Sequence, residues 1–345
     1  MPPQTSSAPL LSLERLSAHY ISQQGTRVVR AVDDVTLKLE AGGTLGIVGE
    51  SGSGKSTLAL TILRLLPPAA RIVSGRMMFE GENLVDKSDA EMRRVRGKRI
   101  AMILQDPMAS LNPLFSIGNQ VGEPIRVHDG ASRASAWRRA IALLKSVRIA
   151  SPETRVGQFP HEMSGGMRQR IVGAIGISCE PRLLIADEPT TSLDLTIQAQ
   201  YLNLLRDLQR EHGLALIFIT HNLGIVAKMC DQLAVMYAGR VVEQGPVSRI
   251  FTSPAHPYTK ALLGSIPRMT DNNQEQLTAI DGQPPDLSNL PPGCSFAPRC
   301  PMAVARCRVE APPEFAVDEG RTARCWLAAP GAEAKPAVMQ RSSVA

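Results

Sequence analysis

The chain is predicted to be an α/β protein built on a mostly parallel sheet, on three observations. Residues 10–265 alternate short apolar strands with helical stretches. Four of those apolar runs end in residues suited to a single ligand site, and the first of them leads into a glycine-rich turn that opens a helix.

Taken in order, residues 1–9 read as a flexible leader, without the basic stretch and apolar run of a secretory signal. The apolar run Leu45 to Val48 then supplies a strand, and Ser56 to Leu66 a helix that Pro67 and Pro68 stop. Between them Gly49-Glu50-Ser51-Gly52-Ser53-Gly54-Lys55-Ser56-Thr57 contains the G-x-x-x-x-G-K-[ST] phosphate loop. Glycines such as Gly49, Gly52 and Gly54 let the backbone curl until successive N–H groups face phosphate oxygens, and the helix N-terminus adds partial positive charge. Lys55 reaches the outer phosphates, and the Ser56 hydroxyl is offered to magnesium.

Three further strands finish on polar residues: Ile100 to Leu104 into Gln105, Leu183 to Ala186 into Asp187-Glu188, and Leu214 to Thr220 into His221. Parallel sheets bind ligands at such ends. Asp187 is placed to hold magnesium together with Ser56 and Gln105, and Glu188 to orient and deprotonate an attacking water. Alone, a histidine or glutamine after a strand is an ordinary structural or surface residue; in this order with the phosphate loop they describe a phosphoryl-transfer site. Met163-Ser164-Gly165-Gly166-Met167-Arg168-Gln169-Arg170 opens a further helix with a capping serine and two glycines, a second phosphate cradle.

Composition bounds these readings. With 345 residues, 43% hydrophobic and 20% charged, the chain suits one large domain and a smaller appendage, without disorder. The longest apolar runs have strand length, which excludes a membrane span. No repeat of 20 to 50 residues is present, which excludes a solenoid or two fused copies. The net charge of +6 suits nucleic acid or anionic headgroups equally. Its densest cluster, Arg93, Arg94, Arg96, Lys98 and Arg99, has no interleaved aromatics and reads as a solvated helix face or a structural feature.

Residues 266–345 change character, holding 11 of the 26 prolines and four of the six cysteines, and read as an irregular appendage. Cys294, Cys300, Cys307 and Cys325 are spaced C-x5-C-x6-C-x17-C, unlike the pairs of common zinc sites. An iron–sulfur cluster is the first choice, with zinc or free thiols as alternatives. Cys179 and Cys230 read as small buried hydrophobes.

Phosphate loop, Gln105, the Ser164-Gly165-Gly166 signature, the Asp187-Glu188 pair and His221 occur in the order of the ABC ATPases, which the chain resembles over nearly its whole length. The resemblance implies a P-loop fold with a RecA-like mostly parallel sheet, an antiparallel β subdomain, a helical subdomain over about 106–175 and ATP with Mg2+ as ligands. It implies that Ser164, Gly165 and Gly166 complete the site of an opposite subunit, that Asp194 communicates between the two sites, and that His221 senses the γ-phosphate. Tyr20 is the candidate for stacking on adenine, its alternative being an ordinary strand aromatic. Met167 stands where glutamine is commonest in that family.

The motifs 105–113, 190–200 and His256-Pro257-Tyr258-Thr259 look like those of dipeptide, oligopeptide and nickel importers. That resemblance implies a peripheral protein on the cytoplasmic face of a bacterial inner membrane, paired with a second, paralogous ATPase beneath two permeases and served by an extracytoplasmic solute-binding protein. Within the helical subdomain, the surface of 106–160 grips a permease, and the tail carries a [4Fe-4S] cluster in some members. A soluble ABC ATPase acting on nucleic acid or ribosomes is the rival; the single nucleotide domain, the absence of a long coiled-coil insertion and the importer-like tail count against it.

Overall fold

A computed structural model gives the structure of the protein and describes residues 8–106, 110–191, 193–266 and 280–331. Residues 1–7 of the leader, 107–109 of the importer-like motif, and Ser192 lie outside the described residues.

The strands are β1 (Leu11–Ile21), β2 (Val28–Leu39), β3 (Thr44–Val48), β4 (Ala70–Phe79), β5 (Glu82–Asn83), β6 (Ile100–Ile103), β7 (Leu183–Asp187), β8 (Ala215–Ile219), β9 (Gln232–Tyr237), β10 (Arg240–Pro246), β11 (Phe315–Asp318) and β12 (Arg321–Ala323). Among the described residues they form two sheets. The smaller is antiparallel, in the order β2-β1-β4-β5; the larger runs β11-β12-β10-β9-β3-β8-β7-β6. Its centre, from β9 to β6, is parallel, with Ile47 opposite Ile219, Ile219 opposite Asp187 and Ile103 opposite Ala186. This register brings the carboxyl ends of β3, β6, β7 and β8 to one edge.

The parallel strands are apolar throughout because both of their faces are covered. Successive side chains point to opposite faces, so Leu183, Ile185, Ala215, Ile217 and Ile219 join the core shared with the antiparallel sheet. Leu184, Ala186, Leu216 and Phe218 join the core on the other face.

The helices are α1 (Lys55–Ile62), α2 (Asp89–Val95), α3 (Ile117–Asp129), α4 (Arg133–Ser146), α5 (Pro152–Arg155), α6 (Gly165–Ile177), α7 (Leu195–His212), α8 (Leu223–Met229), α9 (Val247–Thr252), α10 (Pro257–Gly264) and α11 (Ala305–Val309). α1 stops short of the expected Leu66. Arg64 turns into the left-handed region (φ 51°), and its guanidinium donates to the carbonyls of Leu84 and Lys87. Near the basic cluster, Arg96 donates to the carbonyls of Leu63 and Arg64 at 2.7 and 2.8 Å, and Arg99 pairs with Glu80 and Glu82 at 2.7 and 2.8 Å. Those two guanidiniums are spent inside the molecule.

The tail is less irregular than its prolines suggest. Its β11–β12 hairpin extends the main sheet, with Ala323 opposite Glu243 and Thr322 opposite Gln244 of β10. Arg324 adds hydrogen bonds of 2.8 Å to the Asp34 carboxylate and carbonyl. Phe296, only 1% exposed, packs its ring 5.3 Å from both Tyr237 and Tyr258 and 5.9 Å from His256.

His256 caps α10 by accepting the Tyr258 N–H at Nδ1, 3.0 Å away, which requires an unprotonated nitrogen. Complete burial lowers its pKa to about 3, from the ordinary 6.5. The unfolded chain therefore binds a proton that the folded chain refuses between those values, and stability falls as pH drops below 6.5. The expected loss is about 1.4 kcal/mol per pH unit. His256→Asn, which keeps a capping oxygen without titrating, is expected to flatten this acid limb in urea denaturation compared at pH 7.5 and at successively lower pH.

Candidate functional site

The phosphate loop joins β3 to α1 as the spacing of its glycines requires. Gly54 adopts φ 101°, and a Cβ there would lie 2.0 Å from the Ala31 carbonyl oxygen. Gly49 is closed in likewise, 2.2 Å from the Met236 oxygen, whereas Gly52 (φ 78°) faces open space. Ser51 and Ser56 are exposed, Ser53 is buried and Thr57 is half-buried. The buried Lys55 ammonium donates to the carbonyls of Gly49 and Glu50 at 2.8 and 2.9 Å. Burial lowers its pKa, against the opposing pull of Glu188, Asp187 and Glu50.

Asp187, at the end of β7, is 5% exposed, and its Oδ1 has no hydrogen-bond partner. Burial raises its pKa, and the facing Ser56 hydroxyl offsets part of that rise. An orphaned buried carboxylate oxygen beside a serine hydroxyl suits a Mg2+ ion, which in phosphoryl-transfer sites takes few protein ligands and completes its shell with phosphate oxygens and water.

Glu188 takes a left-handed φ of 44° while its N–H is tied to the Ile219 carbonyl at 2.9 Å. Such strain persists only where surrounding contacts enforce it. The carboxylate receives the Gln105 amide at 3.2 Å and the Thr191 hydroxyl at 3.0 Å, with His221 Nδ1 at 3.3 Å from its other oxygen. The ends of β6, β7 and β8 thus converge on one carboxylate. Thr191 was not among the sequence candidates, because a threonine in a turn carries no signal until its neighbour is known.

The signature residues lie elsewhere. Ser164 caps α6 by accepting the Met167 N–H at 3.3 Å, and Asp194 caps α7 by accepting the N–H groups of Thr196 and Ile197 at 3.1 and 3.0 Å. Ser164, Gly165, Gly166 and Asp194 line a pocket of about 540 Å³ together with Arg148 and Arg170. Among the described residues, no phosphate-loop residue lines it. Tyr20 sits near the end of β1, opposite Val29 and Ala70, and is half-buried.

Cys294, Cys300, Cys307 and Cys325 line one small pocket with His256 and Phe296. Burial raises the pKa of Cys294 and Cys300, and that of Cys325 to about 11; backbone N–H groups of Phe296, Met302 and Leu327 act against these shifts. Four thiols, three of them met by backbone N–H donors, are a donor set suited to thiolate ligation of a cluster. Among the described residues, however, no three His, Cys, Asp or Glu side chains are grouped closely enough to hold a metal ion. The shared pocket is what the structure gives of the expected cluster. Cys179 and Cys230 are buried.

Two contacts to the phosphate loop come from residues that sequence reasoning assigned no role. Tyr258 Oη accepts the Glu50 N–H at 2.9 Å, and Arg299 grips the Glu50 carboxylate at 2.7 and 2.9 Å. The His256–Thr259 motif was visible, but its target lies some two hundred positions earlier in the chain.

Residues 32–191 match the family described as ABC transporter, and residues 242–307 match the oligopeptide/dipeptide transporter C-terminal region. The chain is 49% identical to a probable peptide ABC transporter ATP-binding protein of Sinorhizobium fredii, covering 92% of this chain and 94% of that protein. It is 48% identical to the dipeptide transport ATP-binding protein of Bacillus subtilis, over 92% and 94% of the two chains. A dimeric ATP-binding cassette solved in a post-hydrolysis state with ADP and Pi superposes with a TM-score of 0.61 at 25% identity, covering 69% of this chain and 98% of that one. The cbiO1 protein of Clostridium perfringens, part of the ABC transporter complex cbiONQ, gives 0.61 at 29%, covering 72% and 92%.

Glu188→Gln keeps the shape of the convergence and removes its carboxylate charge. ATP binding is expected to persist while hydrolysis falls by about 10²-fold or more, read by nucleotide binding and phosphate release on the same preparation.

Proposed function

The chain belongs to the ABC transporter family, with its oligopeptide/dipeptide C-terminal region, and from that membership we propose that it is the ATP-binding and ATP-hydrolysing subunit that powers a peptide importer. The observation that carries the reading is the meeting of Gln105, Thr191 and His221 on Glu188, on the sheet edge that also bears the phosphate loop. On ATP binding, Lys55 exchanges the loop carbonyls for phosphate oxygens. Ser56, Asp187 and Gln105 would hold Mg2+, which would supply positive charge beside the transferred phosphoryl group. Glu188 takes a proton from the attacking water, with Gln105 and His221 setting its orientation, and Tyr20 stacks on the adenine.

Ser164, Gly165 and Gly166 serve the nucleotide held by a second, paralogous ATPase subunit, and Asp194 reports between the two sites. This is supported by the separation of their pocket from the phosphate loop and by the relative solved as a dimer. Contacts that differ between ATP and ADP states open and close the pair.

The subunit works at the cytoplasmic face of the inner membrane through two permeases fed by a solute-binding protein. Among the described residues no helix is long and apolar enough to cross a membrane. A groove of about 420 Å³ between the sheet and the helical layer, lined by Leu63, Leu65, Leu104, Pro124, Val127 and His128, is the permease-docking surface of this reading. Val127 is 70% exposed there. For the cysteine pocket the reading keeps a [4Fe-4S] cluster, which Cys294, Cys300, Cys307 and Cys325 would hold only once their thiols draw closer together than they stand here.

Three results test this reading. Lys55→Ala is expected to abolish ATP-driven peptide uptake in cells carrying the intact system, with competition among peptides and nickel defining the cargo. Val127→Asp is expected to lower recovery with permease-containing membranes by about tenfold while leaving ATP binding by the isolated subunit unchanged. Protein purified without oxygen is expected to be brown and to contain iron and inorganic sulfide; colourless protein with stoichiometric zinc would reassign the cysteines.

A further inference from the structure

We infer that Arg299, in the C-terminal region, is a positioning residue of the nucleotide site: it clamps and neutralises the Glu50 carboxylate of the phosphate loop, so that this charge does not oppose the arriving triphosphate. The inference rests on the ATP-site reading above.

The clamp is two-pronged, with Nη1 donating to one Glu50 carboxylate oxygen at 2.7 Å and Nη2 to the other at 2.9 Å. Paired, parallel bonds of this kind fix direction as well as charge. The Arg299 side chain is only 4% exposed, against 27% for Glu50, so the arginine is the fixed partner and the glutamate the held one. Its Nε donates to the Asp281 carbonyl at 2.9 Å, and its guanidinium lies 5.8 Å from the Tyr237 ring centre and 6.0 Å from that of Phe296.

Glu50 is held at its backbone as well. Its N–H is directed to Tyr258 Oη at 2.9 Å, and its carbonyl accepts the Lys55 ammonium at 2.9 Å. The residue whose carboxylate Arg299 grips is therefore bonded to the lysine that meets the phosphates. Released there, an unpaired carboxylate would set a negative charge beside a polyanionic ligand and draw on the same ammonium.

A tail anchor and a charge clamp predict opposite outcomes when the second partner is also removed. Equilibrium binding of a fluorescent ATP analogue to the full chain is the measurement. Arg299→Met is expected to weaken binding by about tenfold, because the half-buried Glu50 carboxylate is left uncompensated beside the phosphates. Adding Glu50→Gln to that variant is expected to restore affinity to within about threefold of the parent, since no charge then remains to repel the phosphates. Restoration supports the clamp. Binding by the double variant as weak as by Arg299→Met, or weaker, shows that the arginine only anchors the tail and overturns it. If Arg299→Met does not fold, Arg299→Lys with and without Glu50→Gln carries the same sign test. Lys55→Ala in parallel separates the two levels of inference. Parent-like affinity in Lys55→Ala would remove the ATP site itself, whereas parent-like affinity in Arg299→Met beside a dead Lys55→Ala would remove the clamp alone.

Discussion

Parallel pairing of β9, β3, β8, β7 and β6 in one register is the constraint on which the rest of the structure depends. A parallel strand must be buried on both faces, so its chemistry is pushed out to its carboxyl end. Here four such ends carry the phosphate loop, Gln105, Asp187 with Glu188, and His221. With β7 and β8 aligned Asp187 to Ile219, a slip of one residue would turn every side chain of a strand to the opposite face. The apolar covering of the sheet and the geometry of the site are therefore consequences of the same hydrogen-bond ladder.

That coupling explains what the sequence made legible. Unbroken apolar runs such as Leu183 to Ala186 announce strands buried on both sides, and the residue after each run is then the candidate for chemistry. Glycines 49 and 54 were legible for a related reason, since only a residue without Cβ fits against the Met236 and Ala31 carbonyls. Less visible were features whose partner lies far away in the chain. β11 and β12, four and three residues long, take their identity from β10, which no local pattern reveals. Thr191, Tyr258 and Arg299 have no local signature of the groups they touch. The cysteines were legible as a set, but not how closely their thiols would gather.

Two electrostatic arrangements sit within one loop's reach of each other. Asp187 and Lys55 are both buried, and burial disfavours the charged form of each, while each favours the charge of the other. Glu50 and Arg299 form a pair with one buried and one half-exposed member. A ligand that brings negative phosphate and a divalent cation together satisfies the first arrangement, and the second keeps a surplus carboxylate out of that exchange.

The hairpin β11–β12 also decides what the main sheet shows at its border. Without it, the backbone of Glu243 and Gln244 in β10 would lie along an open margin, a template for another chain's strand. With it, the margin becomes a four-residue strand of alternating half-buried and exposed positions that ends in Asp318. The proline-rich tail thus acts as a selvedge for the sheet, and its removal would be expressed first as self-association between molecules.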